Sequence, residues 1–225
     1  VKQLFPEQIF DILKTPDGFI TVYRRPEFED GIVVSYKSVS LDDGVVTPRT
    51  RADYEFVKFG GNRDFEDLRT GGFITCNCVE LENDGLFVVR DGGEATIYNA
   101  RNKVEWQGWI KYKGEGPIGI ASVGHTLWAS FYENNTLVRF NLRTMREELR
   151  IGGSNDSSFS GPKGLWIDEK ADKLYVCNNK AQNILEVNIK TYTVKEHAAF
   201  QEPVHKYMKL GNRELAVLDS GLYLL

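Results

Sequence analysis

Short apolar runs of one form recur along the chain: Phe19–Tyr23, Leu86–Arg90, Leu127–Phe131, Leu174–Asn178 and Leu215–Asp219. Each begins with a large apolar residue and is rich in β-branched or aromatic side chains. Each also follows a turn signal: Pro16-Asp17-Gly18, Asn83-Asp84-Gly85, Gly124-His125, Ala171-Asp172-Lys173 and Gly211-Asn212. Side chains that suit a pleated surface, bounded by residues that suit turns, predict β-strands. The flanks repeat as well. Pro6, Pro117, Pro162 and Pro203 each open an apolar segment ahead of the turn, and Gly72-Phe73-Ile74 takes that place in the second copy. Downstream, Thr136–Thr144 is echoed by Asn183–Thr191 and more weakly by Glu94–Asn102, and a fourth run follows at Trp106–Tyr112 or Thr193–Phe200. Four strands per unit, repeated every ~41–47 residues, is the arithmetic of a β-propeller blade.

The spacing is irregular once, between Phe19 and Leu86. Residues 31–70 enlarge the first blade, which spans roughly 6–70, with a third strand from Ile32 to Ser40, a turn at Asp42-Asp43-Gly44 and a fourth strand near Tyr54–Phe59. Asn62–Leu68 could form a turn or two of helix. The last copy ends on Leu222–Leu225, a third strand without a fourth, and Val1–Phe5 stands where a fourth strand belongs. Pairing of 1–5 with 222–225 would complete the last blade and remove two exposed sheet edges. The expected fold is therefore one all-β domain over 1–225, a five-bladed propeller closed by its two ends.

Gly161-Pro162-Lys163-Gly164-Leu165-Trp166-Ile167-Asp168, then Lys173–Asn179 and Asn183–Asn188, resembles the NHL repeat. The fit is good over 161–190, fair over 116–145 and loose elsewhere. The resemblance implies a propeller, with five blades here where the family more often has six. The family includes protein- and RNA-binding platforms, sensor domains, lyases and sugar-lactone hydrolases, so it implies no single function.

In a propeller the second strands end together around the central channel. Aligned, they place Tyr23, Arg90, Phe131, Asn178 and Asp219 in one column, Arg24, Asp91, Tyr132, Asn179 and Ser220 in the next, and Arg25, Gly92, Glu133, Lys180 and Gly221 in a third. His205 and Lys206 enter the same rim. The binding surface read from this pattern is Arg24, Arg90, Asp91, Tyr132, Glu133, Asn178, Asp219 and His205. Mixed charge, amides and rings suit a peptide, a protein or a small anionic ligand. The function expected is a non-catalytic, monomeric binding module without a cofactor. The alternative is a calcium-dependent lactonase-like or lyase-like enzyme on the same face, with Glu133, Asn178 and Asp219 as oxygen ligands from three blades.

Composition narrows the rest. Of the 225 residues, 28 are basic and 32 acidic, a net charge of −4, which disfavours nucleic acid as partner. No apolar stretch is long enough to span a bilayer. A cytoplasmic location is slightly favoured, and a removed leader upstream of Val1 is left open. With three histidines on three segments, a histidine-ligated metal site is not expected. Cys76, Cys78 and Cys177 read as buried, reduced thiols. No phosphate loop, nucleophile elbow or HExxH motif is present. Trp106, Trp109, Trp128 and Trp166 read as packing between blades.

Overall fold

The structure is a computed structural model and describes residues 1–9, 11–15, 18–25, 33–49, 76–153 and 158–225. It is an all-β propeller arrangement; among the described residues there is no α-helix, only four single turns of 3-10 helix. The strands form four-stranded antiparallel sheets in which consecutive strands pair edge to edge. The first sheet holds β2 (Asp11–Thr15), β3 (Gly18–Arg25), β4 (Val33–Val39) and β5 (Val46–Arg49). The second holds β6 (Cys76–Glu80), β7 (Leu86–Arg90), β8 (Glu94–Tyr98) and β9 (Val104–Trp109). The third holds β10 (Gly119–Val123), β11 (Thr126–Phe131), β12 (Thr136–Asn141) and β13 (Arg146–Gly152). The fourth holds β14 (Pro162–Asp168), β15 (Lys173–Asn178), β16 (Asn183–Asn188) and β17 (Val194–Ala199). In the fifth, β18 (Val204–Leu210), β19 (Arg213–Leu218) and β20 (Gly221–Leu224) are joined by β1 (Lys2–Phe5), so the order is β1-β20-β19-β18.

The pairing expected between the chain's two ends is present in that last sheet: Lys2 lies opposite Leu224, Gln3 opposite Tyr223 and Phe5 opposite Leu222. Leu4 and Phe5 are buried and join Ile9, Ile12, Val39, Met208, Leu215, Val217 and Leu222 in one apolar cluster between the fifth and first sheets. Side-chain alternation gives each sheet two apolar faces. Phe87, Val89, Ala95 and Ile97 pack on Leu127, Ala129 and Phe131 between the second and third sheets. Trp128 and Leu137 meet Leu165, Leu174 and Val176 between the third and fourth, and Tyr175 and Cys177 meet Val204, Tyr207 and Ala216 between the fourth and fifth.

Several expectations change in detail. The fourth strand of the first sheet is Val46–Arg49, well before 54–59, which lies outside the described residues along with 62–68. The turn at 42–44 is tight enough to return the chain at once. Asp43 Oδ1 accepts the Val45 N–H at 3.0 Å, Gly44 takes φ +77°, and Val39 pairs directly with Val46. Trp128 is buried, whereas Trp109, on the outer strand of its sheet, is 63% exposed with the Lys111 ammonium 4.3 Å from its ring centre. Cys177 is buried and reduced, and burial pushes its thiol pKa up; Cys78 is reduced but only half-buried.

Candidate functional site

The mouth is built from the entry of each first strand and the exit of each second strand. On the entry side the repeat reads proline, one residue, then a third: Pro117-Ile118-Gly119, Pro162-Lys163-Gly164 and Pro203-Val204-His205. Two of these positions depart from their copies. Lys163 stands where the neighbouring copies have Ile118 and Val204, and His205 stands where they have Gly119 and Gly164. The backbone departs at the same places. Pro162 pairs with Asn178 and Leu165 with Val176, so Lys163 and Gly164 face one residue across the ladder. Val204 pairs with Leu218 and Lys206 with Val217, which leaves His205 as an extra residue. Bulges of this kind re-aim side chains out of the pleat.

The result is a chain of contacts across two sheets. Lys163 Nζ lies 2.6 Å from His205 Nδ1, and His205 Nε2 lies 2.5 Å from Asp219 Oδ1. In the neutral ring, Nε2–H donates to the Asp219 carboxylate while Nδ1 accepts from the Lys163 ammonium. Burial holds the His205 pKa below the ordinary histidine value, although the Asp219 hydrogen bond opposes it. Burial likewise lowers the Lys163 pKa, against the attraction of Asp219. Among the described residues, no carboxylate lies within ion-pair distance of Lys163.

Asn179 extends the network to the third sheet. Its buried side chain accepts the Tyr132 hydroxyl at 3.0 Å, donates to the Val204 carbonyl at 2.9 Å, and approaches His205 Nδ1 at 3.5 Å. Lys180 lies over the Tyr132 ring at 4.4 Å and pairs with Glu133 at 2.9 Å. Beneath these, the buried Ser130 hydroxyl donates to the Lys163 carbonyl at 2.6 Å and fixes the inner strand of the fourth sheet against the third.

Of the residues expected at the mouth, Tyr132, Asp219 and His205 share this network, and Glu133 borders it through Lys180. Asn178 has a different setting. It is 2% exposed, its Oδ1 accepts the Ser160 N–H at 2.5 Å, and its amide donates to the Ser158 carbonyl and to Asn183. It brackets the loop before β14. Arg90 folds along its own sheet, donating to Thr96 Oγ1 at 3.2 Å and Tyr98 Oη at 3.4 Å, on the face opposite Phe87 and Val89. Arg24 pairs with Val34 inside the first sheet, and Asp91 starts a 3-10 turn after β7.

The oxygen set Glu133, Asn178 and Asp219 is held by three separate groups of partners: Glu133 by Lys180, Asn178 by Ser158, Ser160 and Asn183, and Asp219 by His205. No cluster of three or more His, Cys, Asp or Glu side chains that could hold a metal ion occurs among the described residues. Lys163 is the member that inspection of strand ends misses, because it enters with a first strand.

No family model and no curated protein matches the chain. Solved structures do. Sqt1 from Saccharomyces cerevisiae is 12% identical, over 96% of this chain and 71% of that one, with a TM-score of 0.55. Virginiamycin B lyase from Staphylococcus aureus is 12% identical, over 93% of this chain and 66% of that one, with a TM-score of 0.53. Hydrazine synthase from Kuenenia stuttgartiensis is 17% identical over 60% of this chain, with a TM-score of 0.50. This chain spans only 39% of the hydrazine synthase chain it matches. At such identities the likeness is one of fold, shared by proteins whose names point to different activities.

Proposed function

We propose that this chain is a non-catalytic binding propeller whose channel mouth takes a small anion, or an acidic group carried by a peptide or protein. In this reading the sheets close as a ring of five NHL-like blades, and the ends of the third, fourth and fifth surround the ligand. One observation carries the proposal: Lys163 is a half-buried ammonium with a neutral imidazole for a neighbour and, among the described residues, no carboxylate within ion-pair distance. A cation withdrawn from water without a counter-ion is costly, and a ligand anion would offset that cost. Tyr132 and His205 supply the wall, Lys180 a second cation at the rim, and Asp219 fixes the imidazole.

The test is ligand-observed NMR with glycolate as the probe and inorganic phosphate as its competitor. Wild-type protein should give saturation transfer to glycolate, and Lys163→Met should lose it with no loss of stability. Equal signals from both proteins would remove Lys163 from the site and the reading with it. A second reading, an enzyme on the same face, draws on the Lys163–His205–Asp219 chain, which places an acid–base group against an amine.

A further inference from the structure

The departure of two repeat positions at one point asks for an explanation beyond charge. A cation alone would need only Lys163. The structure adds a histidine against the amine and a carboxylate behind the histidine, and each sits on a bulge or a strand end. An imidazole whose Nδ1 touches a lysine Nζ can remove the proton from that ammonium. The imidazolium so formed is stabilised at Nε2 by Asp219. A lysine freed of its proton is a nucleophile toward carbonyl carbon.

We propose that Lys163 forms an imine with an anionic aldehyde or keto acid, with His205 carrying the protons. The proposal rests on the reading of the mouth as an anion site. His205 Nδ1 takes one proton from the Lys163 ammonium. The amine lone pair then attacks the carbonyl carbon, forming the C–N bond. The carbonyl oxygen receives the nitrogen's surplus proton, giving a neutral carbinolamine. The His205 imidazolium returns its proton to the hydroxyl, which leaves as water, and the nitrogen lone pair closes the C=N bond. Of the three ammonium protons, two end in water and one on the protonated imine, so charge and atoms balance and His205 is regenerated. The iminium keeps its positive charge beside the ligand carboxylate. The lowered proton affinity of Lys163 acts in the same direction, since it raises the fraction of free amine at neutral pH.

Glyoxylate with cyanoborohydride tests this, because reduction of the imine leaves a carboxymethyl group on the lysine that peptide mass spectrometry locates. At pH 7 Lys163 should be modified about tenfold faster than Lys180 or Lys209 in the same protein, because His205 draws the proton from its ammonium and burial lowers its proton affinity. His205→Gln and Asp219→Asn should each bring Lys163 down toward the rate of Lys180 without changing the unfolding curve. Glycolate, which has the carboxylate but no carbonyl, should protect Lys163. Modification of Lys163 no faster than of Lys180 overturns the imine proposal. If glycolate still binds wild type and not Lys163→Met, the anion site survives that result; if it binds neither, both readings fall.

Discussion

Tyr132 donates its hydroxyl to Asn179 Oδ1 at 3.0 Å, and the two residues occupy the same position in consecutive repeats. Each is the first residue beyond a second strand, so the bond ties two sheets at the mouth where their ladders have ended. Asn179 also donates to the Val204 carbonyl of the next sheet. One buried amide therefore links three sheets. Tyr132→Phe should cost about 0.5–1.5 kcal/mol of unfolding free energy, the usual net worth of a hydrogen bond. Asn179→Ala should cost about 1–3 kcal/mol, because it leaves a carbonyl and a hydroxyl without their partner. Urea unfolding of both variants and of the double variant measures the pair. If the single effects simply add, the hydroxyl does not act through Asn179.

Gly119 and Gly164 are also equivalent in the repeat. A Cβ on Gly119 would collide with the Lys163 carbonyl, and a Cβ on Gly164 with the His205 carbonyl. The inner strands of successive sheets approach this closely only where a side chain is missing. Gly119→Ala and Gly164→Ala should each destabilise by about 1–3 kcal/mol or more, since backbone must move to make room. Gly164→Ala should also displace His205 from Lys163, so it should alter the His205 imidazole signals in NMR more than Gly119→Ala does.

Much of this architecture is written in the chain's periodicity. The second strands, with their large apolar starts and preceding turns, stand where the repeat places them, because both packing faces of each sheet demand that alternation. The strand 46–49 is less legible: Pro48 argues against a strand, yet here it lies opposite Lys37 on the outer strand of its sheet, where a missing N–H does no harm. Asn178 and Asp219 share a column and look interchangeable. Their roles separate through neighbours that no column shows, the 158–160 loop over Asn178 and His205 beside Asp219. Lys163 directly follows Pro162, which reads as the opening of an apolar segment, so nothing in its own copy marks it as a site residue. The signal that finds it is a comparison down the entry column, where a cation replaces Ile118 and Val204.

The edge strand β1 contributes Leu4 and Phe5, 4% and 2% exposed, to the cluster shared by the fifth and first sheets. Deleting residues 1–5 removes both side chains from that core and leaves β20 with an open edge. Burying two such side chains is worth about 3–6 kcal/mol together. The melting temperature should therefore fall sharply. A deletion variant that melts with wild type would mean that β1 adds nothing to the last sheet.

Glu186 supplies a pH-dependent prediction away from the mouth. Its side chain, 8% exposed, pairs with Lys173 at 3.0 Å and Lys195 at 3.2 Å. Burial would raise its pKa, but the two lysines outweigh burial and hold the carboxyl below its ordinary value of 4.5. A carboxylate with a depressed pKa binds fewer protons folded than unfolded near and below pH 4.5. Its stabilising contribution is therefore complete above that pH and is lost as pH falls through the depressed folded value. Glu186→Gln should cost about 1–3 kcal/mol at pH 7, in the range of hydrogen bonds to charged groups, with the exposed Lys195 side chain keeping it toward the low end. The gap between wild type and Glu186→Gln should narrow steadily from pH 4.5 to pH 3 in urea unfolding. A gap that stays constant over that interval would show that packing of the side chain, and not its charge, sets its worth.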